Sequence, residues 1–387
     1  MRTVTARARR TVGAVFWMYS GRLIGLAWAI LLAHELGIAD FGRYAIALAV
    51  STLIAVPLDH YFVVRAPRVP DAVFLSERST RVLMASVLLA LGVLAMGNNL
   101  LGGFLIARAG AEIAFNAVKS FRIRHGFPNR ANRLDTSRQI FSIALAANYL
   151  LLAPHPTLGR TCFAYLMGYS PAIVVALWEM IGHRPTRPIF DSHTRAIIGE
   201  SFAASAFAQA DVILVGIAAT NTVAGYYAFG TQAAWALAGI GQVYSYTFHD
   251  SLRASGGKIS SGPPIRMTTL LSLATAVMAI AMAIVLAVIG QPHALWTMFL
   301  VMAPVAALRT FSAIFTTVLV LQRRDMFRLM TTIVALAIKL GLVLVLAAHG
   351  SIAVALAALA GEVVMATAYR TAVARSVNRP PEDPNYD

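Results

Sequence analysis

The sequence predicts an all-α polytopic membrane protein of about twelve transmembrane helices. Three observations predict it: the composition, the spacing of the apolar runs and the placement of the charges. Of the 387 residues, 58% are hydrophobic and 13% charged, and the mean hydropathy is +0.69. Soluble domains run near 45–50% apolar and about 25% charged. That argues against a soluble globular enzyme, and also against a disordered chain, which needs low hydrophobicity. The net charge of +15 and pI near 10.6 ordinarily point to a nucleic-acid partner, but only where the charge gathers on a folded surface. Here the basic residues lie between long apolar runs, so no nucleic-acid partner is expected. The single cysteine, Cys162, allows no intrachain disulfide and no Cys-based metal site. No metal and no cofactor are expected.

A membrane helix needs roughly 20 mainly apolar residues to cross a ~30 Å hydrocarbon core. Such runs fall at 12–33, 43–64, 82–97, 101–118, 139–153, 161–181, 196–218, 222–247, 268–289, 295–321, 328–347 and 351–370. The fifth is the weakest, and 97–103 (GNNLLGG) reads as a turn or a kink. The first is too long for a cleavable signal peptide, carries Arg22 internally and lacks a small-x-small site.

The charges follow this count. Basic residues cluster at the N-terminus (Arg2, Arg7, Arg9, Arg10) and after span two (Arg65, Arg68, Arg78, Arg81). The longest connection, 119–138, holds Lys119, Arg122, Arg124, Arg130, Arg133 and Arg138. Further clusters follow spans six, eight, ten and twelve. Together these segments hold 26 of the 32 basic residues, and all fall on one side of a twelve-span chain. By the positive-inside rule that side is the cytoplasm, and both termini lie there. The opposite side keeps Arg43 and Arg160. The 119–138 segment reads as a connector on anionic headgroups, or more sharply as a first contact for an anionic head group.

A Pro-rich basic linker at 182–195 divides the chain into two six-helix lobes, 1–185 and 186–387. Six is even, so both halves begin inside and a repeat between them is parallel. One echo supports it: Leu36 to Ala45 after the first span ends in Tyr-Ala, and so does Ala219 to Ala228 after the seventh. No loop has room for a soluble catalytic domain, and the chain is not expected to be an enzyme.

Ionisable groups at span centres cost roughly 2.5–3.5 kcal/mol each on insertion scales, so they mark function. The cations are Arg22, Arg108, Arg309 and Lys339; the acids are Asp59, Glu112, Asp211 and Glu362. Arg108 and Glu112, at i and i+4, are expected to neutralise each other. Lys339 and Glu362 are expected to pair across a hairpin, and Arg22 lies within reach of Asp59. Arg309 and Asp211 have no sequence-neighbour partner. Arg22 and Arg309 are the leading candidates to hold an anionic ligand, because a guanidinium binds phosphate with two parallel bonds. Pro57, Pro171 and Pro304 sit inside spans and invite kinks.

Certain residues also carry a family resemblance. They are LAHELGIADFGRYAIAL (Leu32 to Leu48), LDHYFVVRAPR (Leu58 to Arg68) and QADVILVGIAATNTVAGYYAFGTQ (Gln209 to Gln232). With the basic N-terminus and Arg22, these resemble the Wzx-like polysaccharide flippases of the multidrug/oligosaccharidyl-lipid/polysaccharide (MOP) exporter superfamily. Asp59, Arg65 and Asp211 match family positions, whereas His60-Tyr61 stands where the family has Gly-Leu. The resemblance implies a MATE-like arrangement of two six-helix lobes in the plasma (inner) membrane. It implies transport of a polyprenyl-diphosphate-linked oligosaccharide from the cytoplasmic to the outer leaflet by alternating access, with membrane lipids and polysaccharide-assembly proteins as partners. There is no P-loop, so an ion gradient or the membrane potential would drive it. Asp59, Asp211 or Glu362 would titrate, and Arg22, Arg309, Lys339 and Arg108 would meet the substrate. The chain lacks the two extra spans of the flippases for the peptidoglycan precursor, which argues against that substrate. The alternatives are a cation/drug antiporter of the same superfamily and an integral-membrane glycosyltransferase or polymerase.

Overall fold

The computed structural model describes residues 2–66, 69–125, 127–187, 192–255, 257–322 and 324–376. Arg68, Arg323 and Arg379 of the basic clusters, and residues 188–191 of the linker, lie outside the described residues. All regular structure within them is helical. The order is α1 (Arg2–Leu36), α2 (Ile38–Arg65), α3 (Asp71–Met96), α4 (Leu100–Arg124), α5 (Pro128–Leu152), α6 (Leu158–Met167) and α7 (Ser170–Met180). Then come α8 (Ser192–Ala218), α9 (Asn221–Tyr246), α10 (His249–Ala254), α11 (Ile265–Val288), α12 (His293–Leu321), α13 (Asp325–Leu346) and α14 (Ser351–Ser376).

Eight of these are long and apolar enough to cross a membrane: α2, α3, α4, α8, α11, α12, α13 and α14. The pair α6 and α7, bent by 43° at a short break, passes the same test only when taken together, as a broken span or a re-entrant loop. The break falls at Gly168-Tyr169, and Pro171 occupies the first turn of α7, where its missing N–H costs nothing. Helices α1, α5 and α9 stand where the first, fifth and eighth spans are expected. The first half of α5 carries Asn129, Arg130, Asn132, Arg133, Asp135 and Arg138, so it turns apolar only after Gln139.

The turns have local causes. Gly37, at φ 86°, separates α1 from α2 in a conformation that glycine adopts at little cost. The 97–103 segment is a turn: Asn99 Oδ1 accepts from the backbone N–H groups of Leu101 and Gly102, both at 3.0 Å, and so caps α4. The 119–138 connection is not a loop. It is the end of α4 and the start of α5, and only residues 125–127 join them. Arg78 and Arg81 are likewise not loop residues, because α3 begins at Asp71 and buries both.

Packing divides the chain into two compact units, Met1–Ile213 and Leu214–Asp387. In the first, α4 is the hub and packs on α2, α3, α5, α6 and α7. Small side chains make this possible: Ala107, Ala109, Ala111 and Ala117 of α4 are fully buried. A Cβ at Gly92 of α3 would lie 2.3 Å from the backbone nitrogen of Ala107, and one at Gly110 2.6 Å from the carbonyl oxygen of Ala85. Such residues let membrane helices approach closely. Gly92→Val is therefore expected to cost about 1–3 kcal/mol through overpacking, seen as a lower melting temperature in detergent. An unchanged melting temperature would show that α3 and α4 can separate freely.

In the second unit α12 is the hub and packs on α9, α11, α13 and α14. The two units repeat a packing plan. The hairpin α3–α4 corresponds to α11–α12, and the contacts of α4 with α2 and α6 correspond to those of α12 with α9 and α14. The sequence echo falls on matching places: Tyr44 is the seventh residue of α2 and Tyr227 the seventh of α9, at 3% and 0% exposure.

Candidate functional site

The motif around Tyr44 is explained by packing. Asp40 and Arg43 pair outward at 3.1 Å, while Phe41 and Tyr44 point into unit one. Trp28 Nε1 donates to the Tyr44 hydroxyl at 3.0 Å, and Phe104 and Tyr165 complete an aromatic cluster with them. Buried aromatics with a polar edge usually find such a partner.

At the basic end of the same unit, Asp59 is held by α3. Arg81 Nε donates to Asp59 Oδ1 at 2.5 Å, and Asn116 Nδ2 donates to Oδ2 at 3.0 Å. Arg81 also donates from Nη1 to Ser120 Oγ at 3.2 Å. The expected reach from Arg22 is thus corrected, since Asp59's partners among the described residues are Arg81 and Asn116. Around this pair, Arg65 bonds Glu77 at 2.8 Å, and Arg78 pairs with Glu179.

Deeper in unit one, the expected Arg108–Glu112 pair does not close. Arg108 Nη1 donates to Ser51 Oγ at 3.1 Å, and Glu112 Oε2 accepts from the Tyr169 hydroxyl at 2.7 Å. Each side chain turns to another helix instead of to its own. Arg138 lies over the Tyr169 ring at 4.4 Å and the Phe115 ring at 4.9 Å, a cation–π arrangement, and its Nη2 bonds Asp135 at 3.0 Å. Lys119 Nζ bonds the same carboxylate at 2.8 Å. A polar column results, running Lys119, Asp135, Arg138, Tyr169, Glu112. Within it, Nε and Nη1 of Arg138 and Nε of Arg108 are buried with no hydrogen-bond partner among the described residues.

Asp135 sits ahead of the apolar stretch of α5. Burial raises its pKa, but Lys119 and Arg138 outweigh that and hold the carboxyl below its usual range. A depressed folded-state pKa gives stability that is present above the unfolded value of about 3.9 and lost as pH falls through the folded value. Asp135→Asn is therefore expected to lower the melting temperature at pH 7 and to lower it much less at pH 3. Equal losses at both pH values would mean that the charge contributes nothing.

In unit two, Arg309 of α12 is 6% exposed and Glu362 of α14 is 1% exposed. Arg309 Nε and Nη2 lie 2.8 and 2.5 Å from Glu362 Oε1. The guanidinium carbon sits 3.7 Å from the ring centroid of Trp235 on α9. Glu362 was expected to pair with Lys339 across the α13–α14 hairpin. Its ion-pair partner among the described residues is instead Arg309, because α14 packs on α12 as well as on α13. Lys339 is 2% exposed and Asp211 1%; Asp211 Oδ1 accepts from the backbone N–H of Val212 at 2.9 Å. Arg22 lies 5.7 Å from the Tyr19 ring, and none of Arg22, Asp211 and Lys339 is without a partner.

Sequence reasoning missed Arg81, Asn116, Arg138 and Tyr169. Glu77, Arg78 and Arg81 at helical spacing were a usable signal that α3 begins before its apolar run. Among the described residues, no group of three His, Cys, Asp or Glu side chains is placed to hold a metal ion.

No family model matches the chain and no curated protein matches its sequence. Solved structures do match. An inward-facing multidrug-resistance MATE-family transporter of the MOP superfamily is 10% identical with a TM-score of 0.67, over 95% of this chain and 100% of that one. The lipid II flippase MurJ in an inward closed conformation is 11% identical with a TM-score of 0.66, over 93% of this chain and 87% of that one. A MOP-superfamily transporter from Pyrococcus furiosus, described as having a binding pocket of reverse polarity, is 13% identical with a TM-score of 0.56, over 96% and 95%. The chain has the all-helical fold of the MOP-superfamily transporters, shared by MATE proteins and MurJ. At these identities the likeness is one of fold.

Proposed function

We propose that this protein flips a polyprenyl-diphosphate-linked oligosaccharide from the cytoplasmic to the outer leaflet of the plasma (inner) membrane, for cell-surface polysaccharide assembly. It crosses the membrane twelve times, keeps both termini in the cytoplasm and works by alternating access coupled to an ion gradient or the membrane potential. The observation that carries this reading is Arg309, a buried guanidinium fixed between a carboxylate and an indole face. An always-charged planar fork suits a diphosphate. Several acids in each unit are matched by cations: Glu362 by Arg309 in unit two, and Asp59 by Arg81 and Asp135 by Lys119 and Arg138 in unit one. An exporter of cations favours an unmatched acidic interior, which these pairs do not provide. Arg22, Lys339 and Arg108 remain candidates for substrate contact. Glu112, whose described partner is a neutral hydroxyl, and Asp211 remain candidates for coupling.

A cation/drug antiporter is the second reading. It is favoured by the multidrug MATE neighbour, which aligns along its whole length, whereas MurJ aligns over 87% of its own. The test is Arg22→Ala and Arg309→Ala in a native-host deletion strain. Loss of surface glycan with lipid-linked precursor accumulating inside is expected from each. Normal export by both at intact protein levels would end the cationic-site reading, and drug sensitivity without a glycan defect would select the antiporter.

A further inference from the structure

Unit two carries a cleft that the transport reading does not use. It lies between α11, α12 and α14 and has a volume of about 880 Å³. Ile265 and Leu273 of α11 form one wall, Leu308 and Phe311 of α12 form the floor, and Arg370 and Arg375 stand at one end of α14. Ile265 and Leu273 are 56% and 55% exposed, so the cleft opens outward from the unit. Apolar side chains and the hydroxyl residues Thr269, Ser272, Thr367 and Thr371 line its length, and both guanidinium groups come from α14. The hydroxyls of Thr269, Ser272 and Thr371 donate to carbonyls of their own helices.

The length is informative. Lining residues of α14 run from Ala366 to Arg375, nine steps, or about 14 Å at 1.5 Å per residue. Half of a ~30 Å hydrocarbon core is ~15 Å. The length of the cleft thus matches the depth of one leaflet.

The charges at its end differ from the cations held in ion pairs. Arg65, Arg81, Lys119, Arg124, Arg138, Arg309 and Arg328 each pair with a carboxylate. Arg370 and Arg375 have no carboxylate partner among the described residues, and no acid lines the cleft. Arg324 Nη1 donates to the carbonyl of Ala372 at 3.1 Å, bringing a third guanidinium to the same end of α14. Basic pockets between membrane helices on the cytoplasmic side recognise anionic lipid head groups. Long apolar walls ending in unmatched cations fit an amphiphile with a negative head and a hydrocarbon chain.

We infer that this cleft is a binding site for an anionic phospholipid of the cytoplasmic leaflet, with its phosphate at Arg370 and Arg375 and one acyl chain along α11 and α12. Arg309 and Glu362 are not among its lining residues. It depends on the proposed orientation and not on what the protein transports.

The test is native mass spectrometry of the purified full chain, released from vesicles of equal parts phosphatidylglycerol and phosphatidylcholine. The wild type is expected to retain phosphatidylglycerol at least several-fold over phosphatidylcholine. Arg370→Gln with Arg375→Gln is expected to abolish that preference. Leu273→Trp fills the cleft without touching a charge and is expected to lower retention of both lipids, and a monodisperse elution profile confirms that each variant is folded. Equal retention of the two lipids by the wild type overturns the inference, as does an unchanged preference in the double variant. Displacement of the retained lipid by millimolar inorganic phosphate alone also overturns it, because the site would then bind a free anion. Glycan export is not read in this experiment, so its failure and the failure of the flippase reading are distinguishable.

Discussion

Arg81→Ala is expected to destabilise the protein by about 3–5 kcal/mol, because it leaves a buried carboxylate without its counter-charge. Arg81 is 1% exposed and Asp59 5%. Asn116 is the only other described partner of that carboxylate, and one amide hydrogen bond does not replace a guanidinium. The paired variant Asp59→Leu with Arg81→Met removes both charges and fills similar space. Replacing a buried pair by apolar residues is often neutral, so the double variant is expected to recover most of the lost stability. Melting of the detergent-purified proteins checks both. A single variant as stable as wild type, or a double variant as unstable as the single, would mean that the pair is not what holds α2 to α3. This pairing also bears on Asp59 as a coupling group. Both oxygens of that carboxylate are already engaged, one by Arg81 and one by Asn116, which moves attention to Glu112 and Asp211.

Most helices were legible because their apolar runs are long, the short fifth run being the exception, and their hairpin turns carry recognisable signals such as Gly37 and the Asn99 cap. The break between α6 and α7 was partly legible in Pro171. Charge pairing was less so, and the reason is physical. Residues i and i+4 share a helix face, yet Arg108 and Glu112 each find a better partner on a neighbouring helix, Ser51 and Tyr169. Adjacent spans are neighbours, but α14 also lies against α12, so Glu362 finds Arg309, 53 residues away, before Lys339. Charges near span ends were read as loop residues. That hid Arg81 and Arg138, whose guanidinium groups are buried because α3 and α5 extend past their apolar runs.

The second large effect concerns Arg309 and Glu362, and it separates structure from function at one site. Arg309→Ala alone leaves Glu362 buried and uncompensated, at a cost of about 3–5 kcal/mol, so its transport defect by itself is ambiguous. Arg309→Met with Glu362→Leu removes that ambiguity. It keeps the volume, neutralises both partners and leaves Trp235 an apolar surface to rest on, so abundance and melting temperature are expected near wild type. Export is expected to fail all the same, by at least tenfold in surface glycan, because the cation that would hold the diphosphate is gone. Arg309→Lys with Glu362 intact keeps the charge but loses the planar fork and its stacking on Trp235. Partial export is expected there, less than wild type and more than the neutral double variant. That ordering is what a ligand-binding guanidinium predicts and a helix-to-helix tether does not. If the neutral double variant exports normally at normal abundance, Arg309 is a tether, and the cation that meets the substrate has to be sought at Arg22, Lys339 or Arg108.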